Sequence, residues 1–302
     1  MNQKKILLLV FGLLLIFSSE SFSQSFQPPT VLIVIAHPDD ESSCAATVYK
    51  ITHELKGHVD LALITNGEGG YKYSTLAEDY YHLELTDEKI GRANLPRIRR
   101  MELNNAGDII GIRNYFYLDQ KDDKYSTDEK DALDTTWNVA TIKKKLNGIM
   151  MKTKYDYVFC LLPVPETHGH HKAATILTLE TVADLPANLK PIVLGVSDSR
   201  KDTVPQKFEQ YSNYKITAIN KKAPLFALDR SVKFGYKGAL SYKIIVNWEV
   251  AEHKSQGTIQ NELYRDDYEN FSYFAINDVV GIEITKALFE ELKKIPYPVK
   301  TY

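Results

Sequence analysis

The stretch "VLIVIAHPDDESS" (31–43) runs from six apolar residues straight into His37, Pro38, Asp39, Asp40 and Glu41. Residues 31–36 have the length and composition of a strand buried on both faces, as in parallel sheets. A strand of that kind ends in a turn. An ordinary turn has no use for an imidazole and three carboxylates together, whereas a metal site does.

Working outward, residues 42–55 carry helical spacing and Gly57 closes the segment. Residues 59–65 read as a second strand, and "NGEGG" (66–70) as a turn. Residues 71–95 are polar, rich in tyrosine and without a clear period. Pro96 is read as the start of a helix running to Gly111, since proline suits the first helical turn. Strand-like segments follow at 115–118, 155–161 and 191–196, with helices at 136–151 and 172–182. Strands alternate with helices throughout. The predicted fold is therefore α/β, a mostly parallel sheet with helices on both faces. After about residue 198 the pattern loosens into an irregular C-terminal part. There, 214–219 is read as a strand, and 242–253 fits helix or strand by pattern alone.

In open α/β sheets ligands bind beyond the carboxyl ends of the strands. The His37–Glu41 cluster lies at that end of the first strand. The loop "PVPETHGHH" (163–171) lies at that end of strand 155–161. The two clusters can meet on one rim. A hydrolytic zinc site needs three protein ligands and an open position for water. His37, Asp40 and a histidine of the second cluster would supply them, leaving Asp39 as a free carboxylate able to take a proton from the water. The competing readings are plain ones: Asp39 or Asp40 capping the next helix, and a chance histidine cluster in a surface loop. Glu41 either orients a ligand histidine or stabilises a helix N-terminus.

Other features bound the function. Lys plus Arg number 37 against 39 Asp plus Glu, a net charge of −2, which argues against a nucleic-acid binder. Lys4 and Lys5, the apolar run 6–17, and Ser21 and Ser23 before Gln24 have the layout of a secretory signal peptide, 1–23. Twelve apolar residues fall short of the roughly 20 needed to span a bilayer. The expectation is an exported chain, periplasmic or secreted after cleavage near Ser23/Gln24, with one domain over 24–302 and no transmembrane span in the mature chain. Cys44 and Cys160 both sit in apolar contexts and read as buried thiols.

The motifs together resemble the PIG-L/LmbE family of zinc-dependent deacetylases. "AHPDDE" (36–41) is similar to the family signature. "TNGEGG" (65–70) resembles its Thr-x-Gly-Glu turn, and Arg99 and Glu102 sit in the places of its Arg-x-x-Glu helix. "HGHH" (168–171) aligns with its His-x-x-His, and "AEHKSQ" (251–256) with a short element near its C-terminus. The resemblance implies His37, Asp40 and His171 as metal ligands and Asp39 as general base. It implies His168 as the histidine that steadies the oxyanion or protonates the leaving amine, and Arg99 on the substrate side. It implies Zn2+, with another divalent metal such as Fe2+ as the alternative. The reaction implied is removal of an N-acetyl group from an amino sugar or glycoconjugate. An amidase on a larger acyl conjugate and a non-catalytic carbohydrate-binding protein are the rival readings. Gly169 and His170 stand where the family has Pro-Asp, so His170 competes with His171 as third ligand.

Overall fold

A computed structural model describes residues 26–205, 207–262 and 266–301. The expected signal peptide, 1–23, lies outside them. Seven strands form one sheet: β1 (Thr30–Ile35), β2 (His58–Thr65), β3 (Ile112–Gln120), β4 (Tyr157–Leu161), β5 (Ile192–Ser199), β6 (Phe226–Asp229) and β7 (Tyr268–Tyr273). Their order is β3-β2-β1-β4-β5-β7-β6. The first five pair in parallel, and β7 pairs antiparallel with β5 and β6.

Alternate residues of β1 separate the two cores. Val31, Ile33 and Ile35 face one side with α1 (Ala45–Tyr49), α3 (Glu88–Ile110), α6 (Lys243–Val250) and α7 (Gly281–Leu292). Leu32 and Val34 face the other with α4 (Val139–Lys152) and α5 (Gly169–Asp184). Helices therefore cover both faces, which is why β1 reads as an uninterrupted apolar run rather than an alternation. A short α2 (Ala77–Tyr81) lies in the tyrosine-rich segment.

β1 has β2 on one side and β4 on the other. The chain leaves their ends in opposite directions, and this opens a crevice at the carboxyl edge between β1 and β4. Both histidine clusters start at that edge.

Several expectations are corrected. Helix α3 starts at Glu88, with Asp87 as its cap accepting from the Ile90 N–H at 2.9 Å; Pro96 lies inside it. The asparate cap outweighs the proline signal, and a proline withdraws only one bond from a helix of 23 residues. Helix α5 starts at Gly169, so His170 and His171 belong to its first turn and not to a loop. Residues 214–219 hold a 3₁₀ turn, Lys215–Thr217, with an isolated bridge at Ile219. Residues 242–253 contain helix α6. The part after 198 is not irregular: it supplies β6, β7, α6 and α7 and completes the sheet.

Candidate metal centre

The turn after β1 turns its aspartates in different directions. Asp40 Oδ2 accepts the backbone N–H groups of Ala36 at 3.0 Å and His37 at 2.8 Å. With both bonds on Oδ2, Oδ1 is left facing His171. Asp39 caps nothing with its side chain. Its Oδ2 instead accepts from Arg99 Nη2 at 3.0 Å. The helix-cap reading of the two aspartates is thereby excluded. Asp39 has φ 146°, a conformation rare for a residue with a side chain.

Three donors converge. His37 Nδ1 and His171 Nε2 are 3.1 Å apart, and His171 Nε2 is 3.1 Å from Asp40 Oδ1. His37 Nδ1 lies 3.7 Å from Asp40 Oδ2. Donors around a tetrahedral ion with bonds of about 2.0–2.2 Å stand about 3.3–3.6 Å apart, so the spacing fits. The tautomers fit as well. His171 Nδ1 lies 2.9 Å from the Thr167 hydroxyl, and His37 Nε2 lies 3.1 Å from His170 Nδ1. When those outer nitrogens carry the protons, the inner nitrogens present bare lone pairs to one another and to a carboxylate. Only a cation or a proton can stand between them. His37 and Asp40 register this. Burial pulls the His37 pKa down, but Asp122 and Asp40 outweigh it and the net shift is upward. Burial opposes ionisation of Asp40, but His171 and His37 hold it well below the usual range.

Asp122, in the loop after β3, is the site residue that sequence reasoning missed. Its Oδ1 lies 3.7 Å from His37 Nε2 and 3.5 Å from His170 Nδ1. Asp122 and His170 thus back the outer edge of His37, while His171 faces Asp40. The geometry favours His171 as the third ligand and gives His170 a supporting place. Asp39, Asp40 and Asp122 outnumber the one guanidinium among them, Arg99. A divalent ion suits that excess of negative charge.

Arg99 is buried on α3. It lines the cavity, but its terminal nitrogens are engaged by protein, Gly67 O at 2.9 Å, Pro38 O at 2.8 Å and Asp39, while its Nε is buried without a partner. The expected substrate-side arginine therefore ties the turn after β2 to the turn after β1. Gly67 permits this with φ 72°, and a Cβ there would stand 3.0 Å from Arg99 Cδ. Glu102 does not pair with Arg99. It accepts from the N–H and hydroxyl of Ser255 and from the Tyr81 hydroxyl.

His168 precedes α5 and is buried. Its Nε2 lies 3.3 Å from the Lys124 carbonyl, which only accepts, so Nε2 carries the proton. Burial, with His37 and His171 nearby, lowers its pKa to about 4. That shift favours the neutral imidazole near pH 7, and its Nδ1 is buried without a partner. Burial and the Asp40 charge raise Asp39, against the pull of Arg99, to about 6.

The site opens into a cavity of about 530 Å³. Tyr73, Tyr125, Ser197 and Gln256 line it beside the candidate metal ligands. Cys44 and Cys160 are buried free thiols, and His53, His58 and His82 are exposed. No helix of the described residues is long and apolar enough to cross a membrane.

The chain is 20% identical over 196 residues to a probable N-acetyl-alpha-D-glucosaminyl L-malate deacetylase 2 of Bacillus cereus, covering 63% of this chain and 80% of that protein. Its fold resembles the zinc-inhibited form of teicoplanin deacetylase Orf2, with a TM-score of 0.53 at 13% identity over 82% of this chain and 100% of the other. It also resembles GalB, the 4-carboxy-2-hydroxymuconate hydratase of Pseudomonas putida KT2440, with a TM-score of 0.52 at 13% identity over 83% and 98%. One fold thus carries more than one chemistry, and the site must decide. Residues 32–182, which hold both histidine clusters and Arg99, match the PIG-L family, described as GlcNAc-PI de-N-acetylase, and the chain belongs to that family.

Proposed function

We propose that the protein is a metal-dependent N-deacetylase that hydrolyses an acetamido group on an amino sugar or sugar conjugate. The observation that carries the proposal is the placing of one free carboxylate, Asp39, beside the donor triangle of His37, Asp40 and His171 at the mouth of a cavity. Binding a sugar needs no such base. The Bacillus cereus relative supports the substrate class.

His37, Asp40 and His171 would hold a divalent ion, zinc by the donor set, which would supply polarisation of water and of the acetamide carbonyl. The chain's own residues do the rest. Asp39, with a pKa of about 6, is ionised near neutral pH yet basic enough to accept the water's proton. The oxygen adds to the acyl carbon and the C–N bond breaks. Asp39 hands its proton to the departing amine, and acetate leaves. Arg99 keeps the Asp39 carboxylate oriented and charged. His168, neutral with a free Nδ1, enters as a hydrogen-bond acceptor at the cavity wall. Export directed by residues 1–23 is part of the same proposal, resting on their composition. Acetate release from N-acetylated amino sugars, with and without chelator, tests the reaction. N-terminal sequencing of the native protein tests export, and an intact Met1 in a soluble cytoplasmic fraction contradicts it.

A further inference from the structure

That mechanism leaves one cluster of buried titratable groups unused. Glu41, Glu249 and His253 are all 0% exposed. His253 Nε2 lies 2.8 Å from Glu41 Oε1 and 3.4 Å from Glu249 Oε1. Carboxylates at these distances accept, so Nε2 carries a proton and donates to Glu41. The other Glu41 oxygen, Oε2, accepts the backbone N–H of Asp39 at 3.0 Å. One carboxylate thus joins His253 to the main chain of the base.

That bond acts where Asp39 is strained. The angle φ is rotation about N–Cα, and a fixed N–H direction fixes it. A φ of 146° persists in aspartate only where the surroundings over-determine it. Arg99 holds the side chain, and Glu41 holds the N–H. Glu249 completes the cluster from α6. Neither of its oxygens makes a hydrogen bond; burial and the Glu41 charge raise its pKa to about 8 against the pull of His253, so its effect on His253 is electrostatic and grows as pH rises through that value. Burial works against a charged His253, but Glu41 and Glu249 outweigh it and hold its pKa well above the ordinary value. An imidazolium makes the stronger bond to Glu41.

We propose that Glu249, His253 and Glu41 form a positioning array that sets the backbone of Asp39 and so aims its carboxylate at the reacting water. Turnover then depends on a segment more than 200 positions away in sequence that touches no substrate. The proposal rests on Asp39 being the base.

The test compares His253→Leu with His253→Gln in the metal-loaded full chain. Leucine fills the space and removes the donor; glutamine restores an N–H at similar reach. Acetate release, bound metal and melting temperature are measured for each. Loss of an outer partner at such sites typically costs about 10–100-fold. His253→Leu is expected to lower kcat by that order, leaving KM and the single bound metal unchanged, and His253→Gln to recover most of it. A folded His253→Leu with wild-type kcat overturns the proposal. So does a fall from two bound metals to one, which would make the cluster an ion site. So does an equal loss in both variants that tracks melting temperature. If His253→Leu fails to fold, His253→Met, which also fills the space without an N–H, takes its place: a reduced kcat with metal retained is expected, and an unchanged kcat overturns the proposal. Asp39→Asn keeps the two readings apart. Near wild-type turnover in that variant sinks Asp39 as base, whereas its inactivity beside a fully active His253→Leu sinks the array alone.

Discussion

Arg99 Nη2 lies 3.0 Å from Asp39 Oδ2 and 2.8 Å from the Pro38 carbonyl, so one guanidinium nitrogen grips both the proposed base and the main chain just before it. Its other terminal nitrogen reaches Gly67 O in the turn after β2. Burial, with the Asp40 charge, pushes Asp39 upward, and Arg99 is the largest opposing influence. The rate should therefore fall as pH drops through about 6, because protonated Asp39 cannot accept a proton. A bound cation pulls the same way as Arg99, so the loaded enzyme loses activity at or below that pH. Arg99→Gln should move the acid limb to higher pH. A pH–rate profile checks this, and a limb that stays put means the rate does not report Asp39.

Asp39 also carries a cost in stability. Its folded pKa lies above its unfolded value, so the unfolded state ionises more readily and stability is lost as pH rises from about 4 through about 6. In chelated protein at pH 7, Asp39→Asn should melt at a higher temperature than wild type, and the gain should vanish below about pH 4, near the unfolded carboxylate value. A destabilised Asp39→Asn would contradict the reading of a base held against its preference for water.

His170 and His171 are adjacent but are given different work. His171→Ala should strip the metal, because it removes a donor 3.1 Å from both His37 and Asp40. His170→Ala should keep the metal with affinity reduced by about 10–100-fold, the usual loss when an outer partner of a ligand histidine goes. Metal analysis and a chelator titration separate the two. Retention in His171→Ala with loss in His170→Ala would move the ion to the outer edge of His37.

The start of the helix after "HPDDE" hangs on a residue far along the chain. Glu269 of β7 is fully buried and accepts from the N–H groups of Ala46 and Thr47 and from the Thr47 hydroxyl. Arg230 lies 3.5 Å away. Glu269→Ala should destabilise the protein by about 3–5 kcal/mol, the range for breaking one side of a buried ion pair. Urea unfolding measures it, and a loss below 1 kcal/mol, well under that range, would show that the anchor is dispensable.

What the sequence discloses follows from burial. The strands at the centre of the sheet are apolar on both faces, so β1 and β2 read almost to the residue. Strand β7 is different. Glu269, Asn270 and Ser272 are buried in it and interrupt the apolar run. The amphipathic spacing of Ile282, Leu288, Phe289 and Leu292 in α7 is readable but went unused. The candidate metal ligands were legible because they come in two dense clusters. Asp122 was not: a lone aspartate in a loop carries no spacing signal, and only the return of β3 to the sheet edge brings it to His37. His253 lay inside the "AEHKSQ" element, but its partner was not legible, since Glu41 is 212 positions away, and Glu249 carried no signal of its own.

The most direct measurement is acetate release from an N-acetylated amino sugar by wild type, Asp39→Asn and Asp40→Asn, each assayed after chelation and after reloading with zinc, with bound metal counted. Wild type should bind about one zinc per chain, as a three-ligand catalytic site does, and should lose and regain activity with it. Asp40→Asn should lose metal and activity together. Asp39→Asn should keep the metal and release acetate about 10²–10⁴-fold more slowly, the span of general-base catalysis. Acetate release at the wild-type rate by chelated protein, or by Asp39→Asn, would contradict the account.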